Sequence, residues 1–413
     1  MSKTRGLVLF FFLASPAASA LAQDFGIEWI DRVTHEMERE RGPLQASALS
    51  WTASAGAAYA YDNNVFLTES NRQHDSVVIP FVRGRLDYAE PHFDASADLL
   101  FDYKIYSRLK DSRDDEERFY GRAQYADAAW MAGLSVLVRH ESDPVDVVFL
   151  DRAAREVVDL VPRVSVDIAS NWAVEAGADL QIVHFEDDAL ANASDNRNYR
   201  ADVSLIYRMP LGLSAIAQGG YLAIDYTNHK DAAGNPTAPP DVDGFFLRGG
   251  IRGDLLEKLW IEALVGYAKA ESDDYKGATL NAPGKNLSTS DILLRAKFEA
   301  TSLVTLWGDY SRQMAFAGGQ DPFEVVNRLL GIVEVKATDL VSLRGRVQFD
   351  RVDSALGVLR DFFSVSASGQ VRPHEYLVVD GGVTWRWGKT SGAVAVDEKF
   401  SDTIVHVGVA LTY

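Results

Sequence analysis

Apolar and polar residues alternate almost without interruption from residue 49 to the last residue of the chain. In the segment 340–350, the odd-numbered residues are Val341, Leu343, Gly345, Val347 and Phe349. The even-numbered residues from 342 on are Ser342, Arg344, Arg346, Gln348 and Asp350, and we call each alternating set of a strand a parity. The same split occurs in 93–105, 199–208, 292–300 and 362–371. Because successive side chains of a strand point to opposite faces, this pattern predicts β-strands with one apolar and one polar face.

The predicted strands are long, and their connections alternate in length. Each strand covers about ten to fifteen residues, whereas strands of soluble proteins usually have about five or six. Tight joins near 90–92 and 209–212 alternate with long polar stretches such as 62–74, 228–242 and 388–398. This is the pattern of bacterial outer-membrane barrels. We therefore predict an all-β fold, a closed antiparallel transmembrane barrel of about 18 strands (range about 16–18), with both termini in the periplasm.

The first residues have the features of a secretory signal. Lys3 and Arg5 precede an apolar run at 7–14, and residues 20–22 offer a small-x-small cleavage site. Residues 1–22 are therefore predicted to be a signal peptide, 23–46 a periplasmic N-terminal segment and 47–413 the barrel. Within 23–46, apolar residues recur at helical spacing, which predicts a short periplasmic helix. It could contact a partner or plug the pore, or it could lie loosely against the barrel rim.

The last strand, 402–413, ends on an aromatic residue. Gly408, Leu411 and Tyr413 resemble the C-terminal signal that the bacterial barrel-assembly machinery recognises. The alternative is that 402–413 is simply an apolar edge strand. An exposed apolar edge would be an aggregation hazard in a soluble protein, and closure into a barrel removes that hazard. The expected partners are thus the assembly machinery and outer-membrane lipid.

Composition and motifs argue against several functional classes. A net charge of −18 argues against nucleic acid as a partner. The chain has no Cys, and its eight His residues form no HxH or HExxH pair, so we predict no metal, no cofactor and no enzymatic activity. His406 is expected in the lumen, as a base or, far more commonly, as a hydrogen-bonded wall residue. Gly219-Gly220 and Gly249-Gly250 lie inside strands and are expected to mark close packing or bends.

The polar parity carries both signs of charge and is expected to line the lumen. The candidate path residues are Arg83, Arg85, Arg118, Arg122, Arg295, Lys297, Arg344, Arg346, Asp98, Asp102 and Asp350. Further residues expected to point inward are Arg200, Arg208, Arg372, Arg386, Asp87, Asp94, Asp202 and Glu299. Two interpretations stay open and are compatible: opposite charges pair across neighbouring strands, or the arginines form a path for an anionic or sugar-like solute.

The segment 57–67 carries a family resemblance. Its Tyr61-Asp62-Asn63-Asn64-Val65-Phe66 stretch is similar to the segment that follows the first strand in the β-barrel porin 2 family. The resemblance implies a role in exopolysaccharide or capsule secretion, together with a periplasmic polysaccharide-export protein. It transfers no catalytic residue. Asp62, Asn63 and Asn64 could bind a cation or a sugar, although such clusters more commonly form turns.

The predicted function is a pore that secretes an exopolysaccharide or capsular polysaccharide. The alternative is a diffusion porin for small anionic or sugar solutes, which would have the same architecture and wall chemistry. An outer-membrane enzyme and a soluble all-β binding protein are more distant alternatives.

Overall fold

The structure, a computed structural model, describes the barrel and parts of its connections. The described residues are 49–65, 72–109, 114–141, 154–186, 195–227, 241–272, 275–276, 281–282, 286–315, 324–354, 357–392 and 398–413. The predicted signal peptide and periplasmic helix lie outside them. Within the described residues the one helix is the short 3-10 turn Pro210–Gly212, and no helix is long and apolar enough to cross a bilayer.

Long strands dominate the described chain, and they contain between 12 and 17 residues in the barrel. They are β1 (Leu49–Asp62), β2 (Asp75–Ala89), β3 (Phe93–Tyr106), β4 (Asp114–Ala126), β5 (Trp130–Glu141), β6 (Arg155–Ala169), β7 (Trp172–Phe185), β8 (Asn196–Arg208), β9 (Leu213–Tyr226), β10 (Val242–Leu256), β11 (Leu259–Ser272), β12 (Tyr275–Lys276), β13 (Asn281–Ala282), β14 (Asn286–Glu299), β15 (Val304–Ala315), β16 (Glu324–Thr338), β17 (Val341–Ser354), β18 (Val358–His374), β19 (Leu377–Gly392) and β20 (Glu398–Thr412).

Eighteen of these strands form one closed antiparallel barrel, which confirms the predicted fold. Each strand pairs with the next, β11 pairs with β14, and β12 and β13 form a separate two-stranded sheet. The barrel closes where β1 pairs with β20, in a register from Ser54 opposite Thr412 to Asp62 opposite Ile404. Closure leaves no sheet edge with unpaired backbone groups, which is the condition for a sheet to span a bilayer.

The two ends of the barrel differ in their connections. Short joins such as 90–92 and 257–258 share one end, called here the turn end, with Leu49 and Tyr413. The longer connections lie at the other end, called the loop end. The predicted loop at 388–398 was wrong in its first half, because β19 continues to Gly392 and stays paired with β18. A Cβ on Gly388 would lie 2.1 Å from the ring of Phe400, so this glycine makes room for an aromatic ring inside a strand.

The two parities face opposite sides of the barrel wall, as the alternation predicts. On β17, Leu343 is 49% exposed on the outer surface, whereas Gln348 and Asp350 are buried on the inner side. On β18, Val365 and Val371 are exposed, and Ser364 and Gln370 are buried. The apolar parity therefore forms the outside of the barrel.

Aromatic residues border the outer apolar surface near both ends. At the turn end Trp51 packs on Tyr413 and Trp172 on Tyr207, with ring centroids 5.7 and 4.8 Å apart. Toward the loop end lie Tyr61 and Trp387, also on the outer parity. The ten residue-to-residue steps from Trp51 to Tyr61, on a strand tilted by about 40°, span about 25 Å, which is the height of the apolar band of an outer-membrane barrel. This outer surface is that of a transmembrane barrel of the outer-membrane type.

The sequence also singled out strand-end aromatics as members of such girdles, leaving open that some face the lumen. The register places all of them on the outer parity: Trp51, Tyr59, Tyr88, Tyr103, Trp385 and Trp387.

The outer surface of β17 yields a test of the assigned faces. Leu343→Arg should impair assembly, since Arg near the bilayer midplane costs roughly 2–4 kcal/mol. Leu340→Arg is the matched control, because Leu340 is 58% exposed in the turn before β17, outside the apolar band. Heat-dependent gel mobility of the outer-membrane fraction measures assembly. Equal assembly of the two variants would contradict the assigned faces.

Candidate functional site: the charged lumen wall

Ion pairs cover the inner wall formed by β2, β3 and β4. The Arg83 guanidinium donates to Asp98, with Nε 2.8 Å from Oδ2, and Arg118 approaches the same carboxylate at 4.0 Å. Nearer the loop end, the Lys104 ammonium lies 3.1 Å from Glu116, and both side chains are almost completely buried. Asp102, between these pairs, is also buried. Burial of so many charges is possible because each sign faces the other.

A longer polar network crosses the wall from β6 to β14. Arg163 lies 3.2 Å from Asp202, and Asp202 also accepts a hydrogen bond of 2.8 Å from Gln218. Arg248 donates to Gln218 at 2.6 Å and lies 3.4 Å from Asp291. Five side chains on five strands thus alternate donor and acceptor groups around the lumen.

The network continues on the neighbouring strands. Arg295 of β14 bridges Glu262 of β11, at 3.3 Å, and Asp309 of β15, at 2.8 Å. Lys297 lies 2.6 Å from Glu299, and its ammonium sits 5.3 Å from the ring centroid of Trp307.

On β16 and β17 a buried carboxylate organises the wall. Asp350 accepts from Arg328 of β16 at 2.8 Å and also from Gln348, whose side chain accepts at 2.7 Å from Arg346. Arg344, nearer the turn end, lies 3.8 Å from Glu334 on the paired strand.

Charged groups also connect β19, β20 and β1, the strands at which the barrel closes. Arg386 of β19 donates to Asp402 of β20 at 2.7 Å and approaches Asp62 of β1 at 3.7 Å. His406 and Asp380, both buried, are 2.8 Å apart. His406 is therefore a hydrogen-bonded wall residue in this structure.

The structure places every candidate path residue on the inner parity and gives most of them a partner of opposite charge. In addition to the pairs above, Arg85 lies 2.8 Å from Asp87, and Arg122 lies 3.7 Å from Asp94. The interpretation that opposite charges pair on the wall therefore describes the geometry. A path for a polymer stays a prediction.

Sequence reasoning missed several members of the wall, namely Arg163, Arg248, Glu262, Asp291 and Arg328. Arg163 follows Pro162 on the opposite face, and Arg248 precedes Gly249-Gly250, so the alternation around both is hard to recognise. The signal that could have found them is their parity within the long strand, counted through the Pro and Gly positions.

Glycines let large inner side chains lie flat on the wall. A Cβ on Gly177 would be 2.2 Å from the Arg163 guanidinium, and one on Gly220 would be 2.4 Å from the Phe246 ring. A Cβ on Gly250 would meet the Ala263 carbonyl oxygen at 1.8 Å. Both glycine pairs singled out in the sequence thus include a close-packing position.

The lumen wall becomes partly apolar toward the loop end. On β1 and β2, Ala60, Ile79 and Phe81 are buried on the inner side, and the loop residues Val65 and Leu109 pack against their cluster. A second inner cluster, which includes Ile224 and Phe246, lies on β9 and β10, on roughly the opposite wall. The polar path therefore lies between two apolar patches where it reaches the loop end.

The Asp62-Asn63-Asn64 cluster forms a turn that also hydrogen-bonds to β20, where the barrel closes. The Asn64 amide donates to Asp62 Oδ1 at 2.8 Å, which is the turn expected of such residues. Asn63 Oδ1 accepts from the Thr403 amide at 3.0 Å, and Asn64 Nδ2 donates to the Ser401 carbonyl at 3.2 Å. These groups extend the pairing of β1 with β20 and place Val65 in the apolar cluster.

In the described part of the chain, no group of three or more His, Asp or Glu side chains is arranged to hold a metal ion.

No protein-family model and no curated protein matches this chain. Solved outer-membrane proteins are similar only at a distance. OccK2 (OpdF) of Pseudomonas aeruginosa has 11% sequence identity and a TM-score of 0.46, with 88% of this chain and 98% of that chain covered. The FrpB iron transporter from Neisseria meningitidis has 8% identity and a TM-score of 0.43, with 89% and 82% covered.

The copper transporter OprC has 10% identity and a TM-score of 0.47, with 85% of this chain covered. This chain spans 63% of its length. Likenesses this distant transfer neither a substrate nor a functional residue.

Asp350 provides a test of charge pairing in the wall. Asp350→Asn removes the buried negative charge that faces Arg328, so the free energy of unfolding should fall by about 1–3 kcal/mol. Asp87→Asn is the control, because the Arg85–Asp87 pair is far more exposed and should contribute less than about 1 kcal/mol. Urea unfolding in lipid vesicles measures both variants. Equal losses would show that burial does not govern the strength of these pairs.

Proposed function

We propose that this barrel is an outer-membrane passage for the secretion of an exopolysaccharide or capsular polysaccharide, and that it acts as a passage and not as an enzyme. One observation carries the proposal: most strands of the barrel place guanidinium, carboxylate or carboxamide groups on the inner wall. Hydroxyl groups both donate and accept hydrogen bonds, so a sugar polymer can exchange partners along such a wall.

Charge pairing favours a polymer rich in hydroxyls over a small ion. Arg295 is held between two carboxylates, and Asp98 is approached by two arginines, so the field of each charge is largely cancelled nearby. A wall of this kind offers many hydrogen bonds and little net attraction for either sign of charge. This suits a long chain that must slide without being held.

The proposal includes an orientation and a partner. Short turns face the periplasm and longer loops the outside in barrels of this type, so we place the turn end in the periplasm. A periplasmic polysaccharide-export protein would then deliver the polymer at the turn end. The resemblance of residues 61–66 to the β-barrel porin 2 family supports the same partner.

One observation favours the alternative, a diffusion porin for small anionic or sugar solutes. The guanidinium of Arg200 lies 4.5 Å from the ring centroid of Phe246, and the residue opposite it in the strand register is Asp179, with which it makes no ion pair within 4 Å. A cation of this kind on a lumen wall can attract a small carboxylate.

Deletion of the gene distinguishes the two functions. Loss of the secretion passage should abolish surface polysaccharide and leave growth on small sugars and organic acids normal. Polysaccharide staining and growth on single carbon sources provide the measurement, with the intact gene restored as the control. Normal polysaccharide combined with slow growth on one class of small solute would support the diffusion porin instead.

Neutralising two wall arginines tests the path itself. Arg344→Gln together with Arg346→Gln should leave assembly intact, because both side chains are partly exposed and Gln keeps hydrogen-bonding capacity. Export of the polymer should fall by about two- to tenfold, since the guanidinium groups that would donate hydrogen bonds to its hydroxyls are lost. Lys269→Gln, on the outer surface, is the control. Unchanged export with normal heat-dependent mobility would remove these arginines from the path.

A further inference from the structure

A row of charged side chains crosses four neighbouring strands on the outer surface near the loop end. In the backbone register, Arg351 of β17 lies opposite Asp361 of β18, and Asp361 lies opposite Lys389 of β19. Lys389 in turn lies opposite Lys399 of β20. All four belong to the outer parity. With strands about 4.8 Å apart, the row is about 14 Å long.

The row lies directly beyond an aromatic belt. Two residues toward the turn end, the same strands carry Phe349, Phe363, Trp387 and Ser401 in register. The Phe363 ring packs edge-on against Trp385, 5.8 Å away, and Val347 and Val365 continue the apolar surface. Aromatic side chains mark the membrane–water interface, so the charged row lies at the level of the lipid headgroups.

The cations of the row are not neutralised by the described protein around them. Lys389 and Lys399 make no ion pair within that part of the chain, and Arg351 reaches Asp361 only at 3.9 Å. Asp353, one outer position farther toward the loops, adds a second carboxylate. The row still has an excess of positive charge, although the whole chain has a net charge of −18.

The other side of the barrel is different. On β9 and β10 the outer positions near the loop end are Asp225 and Asp243, and Lys269 of β11 is paired with Glu271. Among the described outer residues at headgroup level, cations therefore outnumber carboxylates on β17–β20, whereas carboxylates outnumber cations on β9–β11.

We propose that Arg351, Lys389 and Lys399 bind the phosphate groups of an anionic glycolipid of the outer leaflet. The guanidinium and ammonium groups would donate charge-assisted hydrogen bonds to the phosphates, while the acyl chains pack on Phe349, Phe363 and Trp387 below. Charge complementarity at headgroup level carries the assignment. The Asp361 carboxylate, 3.9 Å from Arg351, repels the phosphates. The orientation of the barrel follows from the proposed function, but the binding does not depend on what the lumen transports.

The probe is lipid A, a bisphosphorylated acylated glucosamine disaccharide, added to the purified full-length barrel in detergent. Native mass spectrometry or a fluorescent competition assay measures the affinity. Changing Arg351, Lys389 and Lys399 together to Gln should weaken binding by about tenfold or more. Arg197→Gln with Lys269→Gln is the matched control, because these outer cations lie beside Asp225 and Glu271 and should leave affinity unchanged.

Asp361→Asn gives a result of opposite sign. Removal of this carboxylate should tighten lipid A binding several-fold, because it takes a negative charge away from the phosphates. Weaker binding of Asp361→Asn would overturn the proposal and indicate a site for a cation. Equal affinity of the wild-type protein and the triple variant would overturn it as well.

Two further measurements separate other occupants. If the triple variant does not show the normal heat-dependent mobility, Lys389→Gln with Lys399→Gln replaces it and should weaken binding about threefold or more. A triple variant that loses oligomeric mass but keeps its lipid A affinity would assign the row to contacts between copies of the chain and overturn the proposal. Export of polysaccharide is expected to be normal in these variants, so failure here is distinct from failure of the secretion function.

Discussion

Closure of the sheet between β1 and β20 is the constraint on which the rest of the structure depends. A bilayer offers no water to satisfy backbone amides and carbonyls, so a spanning sheet must have no free edge. The nine register pairs between β1 and β20 provide this, and Asn63 and Asn64 continue the contact beyond the regular ladder by bonding β20 through their side chains. Every outward and inward position on the other strands follows from that closed register.

Closure places about half of the strand residues around the lumen, because side chains alternate between the two faces. Many of these residues are charged, and burying their charges costs free energy. Ion pairs between strands offset this cost: Arg83 pairs with Asp98, Arg163 with Asp202, Arg295 with Glu262 and Asp309, and Arg328 with Asp350. A buried charge without a partner is costly, whereas paired charges in a moist lumen are tolerated and still present hydrogen-bonding groups. The features that stabilise the wall therefore also give it the chemistry of a passage for hydroxyl-rich chains.

The outer surface is asymmetric around the barrel, and this asymmetry is independent of the lumen. Arg351, Lys389 and Lys399 are concentrated on one side at headgroup level, above aromatic rings, while carboxylates occupy the equivalent positions on β9 and β10. In a leaflet rich in phosphate, lipid headgroups would therefore bind one side of such a barrel more strongly than the other. The inner wall and the outer surface can thus be altered separately, because neighbouring residues of a strand face different environments.

The sequence by itself determined the architecture and the faces. Period two assigned Leu343 to lipid and Asp350 to the lumen, and the alternation of short and long connections led to a count of about 18 strands. It did not determine which charges meet, because partners such as Arg163 and Asp202 are 39 residues apart and are joined only by the register of β6, β7 and β8. It did not reveal the row from Arg351 to Lys399 either, since each residue is an isolated charge in its own strand. Only the tertiary structure decided these contacts, because hydrogen-bonded register brings distant strands to within about 4.8 Å and so selects the side chains that interact.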